Sequence, residues 1–434
     1  MENIEKTSPR PGVDRLPGLQ PGRSASNGVL ALYVIGYFTL YIALMTPIVS
    51  TLAVKIDTLA PAADRIAALS LVTGLGALFA FVVNPLAGAL SDRTTSRFGR
   101  RRPWLVWGVL AGAAGLLVVA FAGEIWVVAV GWALTQAGFN ASQAAFQAIL
   151  PDQVEEHRRG KVSAWMGVAT NVSPLVGITL ATTIANLGAG PAWMIALPAA
   201  LAVAGVGVLA LVLRDVRLSR DETEPFALGS FLKSFWVSPR RFPDFGWAFL
   251  GRFLIMCGFA SYTTYQFYFL QDRFGFNVPT ALGWQLVLMV LQAVALTAAA
   301  LIGGWLSDRV GRRKIFVVVA TILTGIGLSV FALAPQPEVL VIAAVVFGAG
   351  FGAYLAVDLA LVTDVLPNRE TEAAKNMGVF NIANALPPSL VPALAPLVLA
   401  IGADGSANYA ALFVLGGVLA VLGAISTMFI RGAR

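Results

Sequence analysis

Residues 91–104 read SDRTTSRFGRRRPW. Asp92 and five arginines (Arg93, Arg97, Arg100, Arg101 and Arg102) are compressed between two apolar runs, 66–90 and 104–122. A helix rises 1.5 Å per residue, so a run of about 20 apolar residues can cross the ~30 Å hydrocarbon layer of a bilayer. The charged stretch therefore reads as a short polar loop between two membrane-spanning helices.

Ten more such runs can be marked outward from it: 28–54, 126–150, 162–186, 192–213, 245–270, 281–306, 315–333, 338–362, 376–401 and 408–430. None alternates with a period of two, so these are helices and not the strands of a membrane barrel. Composition agrees: the chain is 57% hydrophobic and 12% charged, against roughly 25% charged in ordinary soluble domains. The expected fold is an all-α membrane protein with twelve transmembrane helices. Residues 1–27 carry Glu2, Glu5, Asp14 and several prolines without the apolar core of a signal peptide, and read as a loose tail. The single cysteine, Cys257, lies in an apolar run as a packing residue, so neither a disulfide framework nor a Cys/His metal site is expected.

Basic residues are distributed unevenly. Of 30 Lys and Arg, 26 fall in the N-terminal tail, the even-to-odd connections and the C-terminus, while Lys55, Arg65 and Arg273 lie in the opposite loops. The positive-inside bias places both termini and residues 91–104 in the cytoplasm. The net charge of +7 thus reports orientation, and nucleic acid is not an expected partner. Arg252 alone lies inside a run.

The chain also repeats itself. A shift of 216 residues lays Ser91-Asp92-Arg93 on Ser307-Asp308-Arg309, and a shift of 212 lays Ala137-Gly138-Phe139 on Ala349-Gly350-Phe351 and Asp152 on Asp364. Two pseudo-symmetric six-helix bundles follow, 28–213 and 244–430, joined by a polar connection at 214–243 and ending in a short tail at 431–434.

With these motifs the chain resembles the major facilitator superfamily over nearly its whole length. Gly304 to Arg313 matches the loop signature G-x-x-x-D-R-x-G-R-R, and Gly88 to Trp104 carries a longer form similar to that of the glycoside-pentoside-hexuronide and sucrose symporter groups. The resemblance implies the major facilitator fold, secondary transport of a small-molecule substrate by alternating access, and a monomer in the cell's inner membrane, without a cofactor. It also implies that Asp92, Arg93, Gly99, Arg100, Arg101 and Asp152, with Asp308, Arg309, Gly311, Arg312, Arg313 and Asp364, form a cytoplasmic gate. Carboxylates ending helices 2 and 8 can engage arginines and helix N-termini, contacts expected only while that side is shut. The plainer alternative is that the arginines fix topology and hold anionic headgroups.

Gln136, Asn140, Gln143 and Gln147 are spaced by four, three and four, and so share one face of helix 4. Amides facing lipid are costly, so this stripe faces a cavity or bonds to another helix. Tyr33, Tyr37 and Tyr41 in helix 1, Tyr262, Tyr265 and Gln266 in helix 7, Trp284 and Gln285 in helix 8, Tyr354 in helix 10, and Asn381 and Asn384 in helix 11 are further candidates, each with ordinary packing as the alternative. Amides, hydroxyls and ring faces suit a neutral polyhydroxylated solute, a sugar or glycoside. Export of a drug or metabolite, and passive facilitation, stay open. Where melibiose-type sodium symporters carry acidic residues before a helix 2 proline, this chain has Ala80 and Asn84 before Pro85, which argues against sodium.

Protons are the expected coupling partner. Asp358 stands where the first half has Phe146, about 9 Å inside the end of helix 10, and Arg252 lies about 12 Å along helix 7 from Asp244. Intramembrane charges are functional candidates, and the matched depths predict a pair, either proton-coupling or static. Asp57 is the alternative proton site. No Walker loop, HExxH or nucleophile elbow occurs, so no enzyme is expected.

Overall fold

The computed structural model describes residues 26–218, 229, 237–367, 369–402 and 407–431. Residues 1–25 of the expected tail, much of the 214–243 connection, residues 432–434 and the Arg369 and Lys375 side chains lie outside the described part.

Apolar runs become helices almost where their lengths demand. Helix 1 (Asn27–Asp57) begins with the Val29 N–H donating to Ser26 Oγ at 3.4 Å and contains a π-helical turn, Pro47–Thr51. Helix 2 (Arg65–Ser91), helix 3 (Arg102–Phe121), helix 4 (Ile125–Gln153), helix 5 (Glu156–Asn186) and helix 6 (Pro191–Val212) complete the first half. The second half holds helix 7 (Pro243–Phe274), helix 8 (Val278–Val310), helix 9 (Arg313–Leu333), helix 10 (Val339–Asp364), helix 11 and helix 12 (Tyr409–Met428). Helix 11, expected to be continuous, is broken into Arg369–Ala385 and Pro387–Leu399. Pro387 and Pro388 lack the N–H groups that would carry the helix through.

Eleven of the twelve are long and apolar enough to cross a membrane by length and composition. Helix 4 is the other: its 29 residues are ample in length, but its amides dilute its hydropathy. Large apolar side chains such as Phe121, Leu211 and Leu301 lie exposed, the surface that lipid requires.

Pairings within the halves obey the internal repeat. Helix 1 packs on 5 and 6, helix 3 on 4 and 6, and helix 2 on 4; correspondingly helix 7 packs on 11 and 12, helix 9 on 10 and 12, and helix 8 on 10. Close approach of helices 3 and 4 depends on glycine, since a Cβ on Gly138 would lie 2.3 Å from the Gly112 nitrogen. Between the halves, the second segment of helix 11 packs on helix 2, and helix 8 on helix 5.

Candidate functional site

A cavity of about 450 Å³ lies between the two halves. Helix 4 gives it Trp132, Gln136, Asn140, Gln143 and Gln147; helix 2 gives Thr73, Ala77, Ala80, Phe81, Asn84 and Pro85; and helix 1 gives Leu44, Met45 and Ile48. The second half adds Thr264, Gly378, Asn381, Ile382, Ala385 and Pro388, most of them around the break in helix 11. No charged side chain lines it among the described residues.

The spacing of the helix 4 amides has its expected result: all four reach the cavity. Three of them, Gln136, Asn140 and Gln143, are also tied to one another or to neighbouring side chains. Asn140 Nδ2 donates to the Gln136 carbonyl at 2.8 Å and to Gln136 Oε1 at 2.9 Å. Asn84 Nδ2 donates to Asn140 Oδ1 at 3.3 Å and Gln143 Oε1 at 3.2 Å, while Gln143 Nε2 donates to the Tyr41 hydroxyl. Each amide keeps further donor or acceptor capacity, so the cluster is held in place yet able to bond a solute. Asn84 was legible only as a missing charge; its amide bridges the two central members of the stripe.

Several other candidates sit elsewhere. Tyr37 lies behind the cavity wall, its ring 4.5 Å from that of Tyr41 and edge-on to Phe146. Tyr262 is buried in the second half against Phe331 and Phe347 and accepts from Gln266 Nε2 at 2.9 Å, and neither side chain lines the cavity. Trp284 stacks on Phe276, and Asn384 donates to Asn381 Oδ1 at 2.9 Å behind the lining. Tyr265 closes the cavity instead of lining it: its hydroxyl lies 2.7 Å from Ser70 Oγ of the other half. Gln285 Nε2 likewise crosses between the halves to the Val49 carbonyl at 2.8 Å. Val49 belongs to the π-helical turn, a geometry that interrupts the regular i to i−4 bonding and is frequent at functional sites. The cavity is thus shut at the end away from the arginine-rich loops, and its lining runs toward those loops through Gln147 and Gly378.

Arg252 and Asp358 meet. Arg252 Nη2 lies 2.5 Å from Asp358 Oδ2, Arg252 Nε donates to the Tyr354 hydroxyl at 3.4 Å, and the guanidinium stands 4.7 Å from the centre of the Phe380 ring. Tyr354 therefore serves this pair and is not in the cavity wall. In the first half the equivalent place is aromatic, with Phe146 against Tyr33 at 5.6 Å.

Arginine-rich loops form one cluster per half. Arg101 bonds Ser91 Oγ and Asp92, and its Nε donates to Asp152 Oδ2 at 3.0 Å; Arg100 Nη2 lies 2.6 Å from Asp152 Oδ1. Arg93 Nη1 donates to the Ala89 carbonyl at 2.8 Å. In the second half Arg313 pairs with Asp364 at 2.7 Å and Asp308 at 3.7 Å, Arg309 lies over Trp305, and Arg312 precedes helix 9 at its N-cap position without a side-chain capping bond. These Asp92, Asp152, Asp308 and Asp364 contacts stay within their own halves, so they need no closure of that end to form, contrary to expectation. Gly311 ends helix 8 at φ 69°, and Gly99 turns at φ 98°.

Asp215 has no motif or spacing that marks it in the sequence. This residue follows helix 6, and its Oδ2 accepts the backbone N–H groups of Arg101 at 2.6 Å and Arg102 at 2.7 Å at the start of helix 3. A Cβ on Gly99 would lie 2.3 Å from Asp215, so only glycine admits the approach. Burial pushes the Asp215 carboxyl above its ordinary pKa, against the opposing pull of the N–H groups of Arg102, Arg101 and Val216 and the Arg101 charge.

The profile of the major facilitator superfamily matches residues 29–290 and 278–433. The chain belongs to that superfamily. It is 29% identical over 190 residues to the inner membrane transport protein YajR of Escherichia coli, spanning 43% of this chain and 38% of that protein. It is 27% identical over 197 residues to a lactose permease of Lactobacillus helveticus, 40% and 28% of the two chains, and 43% identical over 58 residues to the sucrose transport protein SUC4 of Arabidopsis thaliana, 13% and 10%. The matched stretches thus span less than half of each relative. The structure of a point mutant of the nucleoside transporter NupG superposes with a TM-score of 0.74 at 13% identity, covering 93% of this chain and 99% of that one. The likeness establishes the fold. This superfamily member is a multi-pass membrane protein.

Proposed function

We propose that the chain is a proton-coupled symporter of a neutral sugar or glycoside that works by alternating access. The observation that carries the reading is the uncharged cavity with an amide cluster, Asn84, Gln136, Asn140, Gln143 and Gln147, on one wall. Carboxamides both donate to and accept from vicinal hydroxyls, and the partly exposed Phe81 adds apolar surface for the C–H face of a sugar. An anion would find no cation in this wall and a lipophilic cation no carboxylate. The names of the lactose and sucrose relatives point the same way.

In this reading the units 28–213 and 244–430 rock about the cavity, joined by 214–243, and the arginine-rich end, with the tails 1–27 and 431–434, faces the cytoplasm of an inner membrane. Asp358 is the proton carrier. Substrate or helix movement draws Arg252 off, the carboxylate takes a proton in its apolar surroundings, and return of Arg252 expels it. The monomer suffices, because one chain contains both halves and the cavity.

The test is a thermal-shift screen of purified protein against neutral sugars, glycosides and amphipathic cations, followed by transport in proteoliposomes. Stabilisation by a sugar, counterflow of that sugar and its accumulation under an imposed pH gradient are expected. Stabilisation by amphipathic cations alone would overturn the substrate class. Counterflow without accumulation would make the protein a facilitator.

A further inference from the structure

Arg65 stands where the topology rule disfavours arginine, at the far end from the basic loops, and neither superfamily signature includes it. Its side chain is only 12% exposed. Arg65 Nη1 lies 2.7 Å from Asp57 Oδ1 in its own half, and Nη2 bonds Asp272 at the end of helix 7 in the other half. The same guanidinium stands 4.7 Å from the centre of the Tyr268 ring, also in the second half. Two further bonds complete the cluster: Tyr409 donates to Asp272 Oδ2 at 2.6 Å, and Gln271 Nε2 donates across the halves to Asp57 Oδ2 at 3.4 Å.

We propose that Arg65 is the key of a reversible ionic latch that holds the two halves together on the face away from the arginine-rich loops. The inference rests on the transport reading only in needing the halves to part there. Its logic lies in which contacts cross. When the halves separate, Arg65 keeps Asp57 and Asp272 keeps Tyr409, so each charge retains a partner in its own half. What is lost is the Arg65–Asp272 bond, the Tyr268 ring contact, the Tyr268 hydroxyl's bond to the Ala53 carbonyl at 3.0 Å and the long Gln271–Asp57 bond. An isolated buried charge is expensive, and this arrangement opens without creating one. The latch therefore releases readily, yet while closed its charge-assisted bond covers the Ser70–Tyr265 and Val49–Gln285 contacts that seal the cavity.

The experiment uses the full chain with Cys257→Ser, to remove the native thiol, and Thr73→Cys, which puts a reporter in the cavity wall behind the latch. A membrane-impermeant maleimide is applied to intact cells, without substrate, and the rate of labelling is read. Arg65→Gln and Asp272→Asn should each raise that rate about tenfold or more, the factor carried by one hydrogen bond to a charged group. Arg65→Asp combined with Asp272→Arg moves the cation to the other half at unchanged net charge, and should return labelling to within about twofold of the starting protein. Asp57→Asn, which leaves the Arg65–Asp272 bond intact and alters across the halves only the long Gln271 bond, should raise labelling less than Asp272→Asn.

Unchanged labelling in both Arg65→Gln and Asp272→Asn overturns the latch, as does failure of the charge swap to restore closure in monodisperse protein. If the swapped protein does not fold, the order of Asp57→Asn and Asp272→Asn decides, and the reverse order overturns the proposal. Because no substrate enters the assay, a failed latch leaves sugar transport standing, and failure of every sugar to exchange leaves the labelling result intact.

Discussion

Asp358→Asn removes one charge of the buried pair and leaves Arg252 with the Tyr354 hydroxyl at 3.4 Å and the Phe380 ring at 4.7 Å. Breaking a buried ion pair by deleting one partner costs about 3–5 kcal/mol, of which a retained ring contact offsets about 0.5–2 kcal/mol. The variant should therefore lose about 1–4.5 kcal/mol of stability by those two figures. That loss would blur any functional reading, so the decisive variant is Arg252→Met with Asp358→Asn. It strands no charge and should recover most of the stability, since replacing both members of a buried pair is often neutral. Neither residue lines the cavity, so labelled-sugar counterflow should survive in the double variant while accumulation under an inward pH gradient disappears. The assay is paired counterflow and gradient-driven uptake in proteoliposomes, with thermal unfolding of the same preparations. Accumulation by the double variant would refute proton carriage by Asp358. Loss of counterflow in folded double variant would make the pair a structural bridge.

Gln143→Ala or Asn140→Ala should weaken sugar binding five- to a hundredfold, about 1–3 kcal/mol for a buried hydroxyl left unpaired, with little change in unfolding temperature; titration calorimetry checks this, and lost stability with normal binding would make the amides helix glue. Asp215→Ala should cost about 0.5–2 kcal/mol as a lost helix cap, whereas Asp215→Asn, which resembles the neutral acid and keeps an acceptor, should lose less. Since burial raises this carboxyl's pKa in the docked segment, its contribution is fully present below the ordinary carboxylate pKa of about 3.9 and declines as pH rises through the raised value. Unfolding measured across pH should show that decline in the native chain and not in Asp215→Asn.

The twelve helices and the duplication were legible because hydrocarbon thickness fixes run length and because repeated glycines and charges align at constant offsets. The helix 4 stripe was legible for the same kind of reason: amides in an apolar helix are rare enough for their spacing to carry information. Aromatic residues carry no such signal in a chain that is 10% aromatic. Tyr262, Tyr265 and Tyr354 share the apolar look of their neighbours, and only the fold separates a packed ring from one that seals the cavity or serves an ion pair. The break in helix 11 had a visible cause in Pro387 and Pro388 that the run length concealed. Contacts such as Asp215 with the start of helix 3, or Arg65 with Asp272, join residues more than a hundred positions apart and leave no local trace.

Helix 4 must also reach the membrane before it can serve any solute. Four amides make it a poor substrate for insertion on its own, because partitioning into lipid rewards apolar length. Helix 3 is strongly apolar, ends at Phe121 and is followed by helix 4 at Ile125. The seam at Gly108, Gly112 and Gly138 lets the two backbones touch. Biogenesis can thus treat the pair as a hairpin, with the apolar member carrying the polar one across. On that account the glycines form an insertion device as well as a packing surface, and a bulkier residue there would reduce the amount of protein in the membrane before it altered transport by the molecules that arrive.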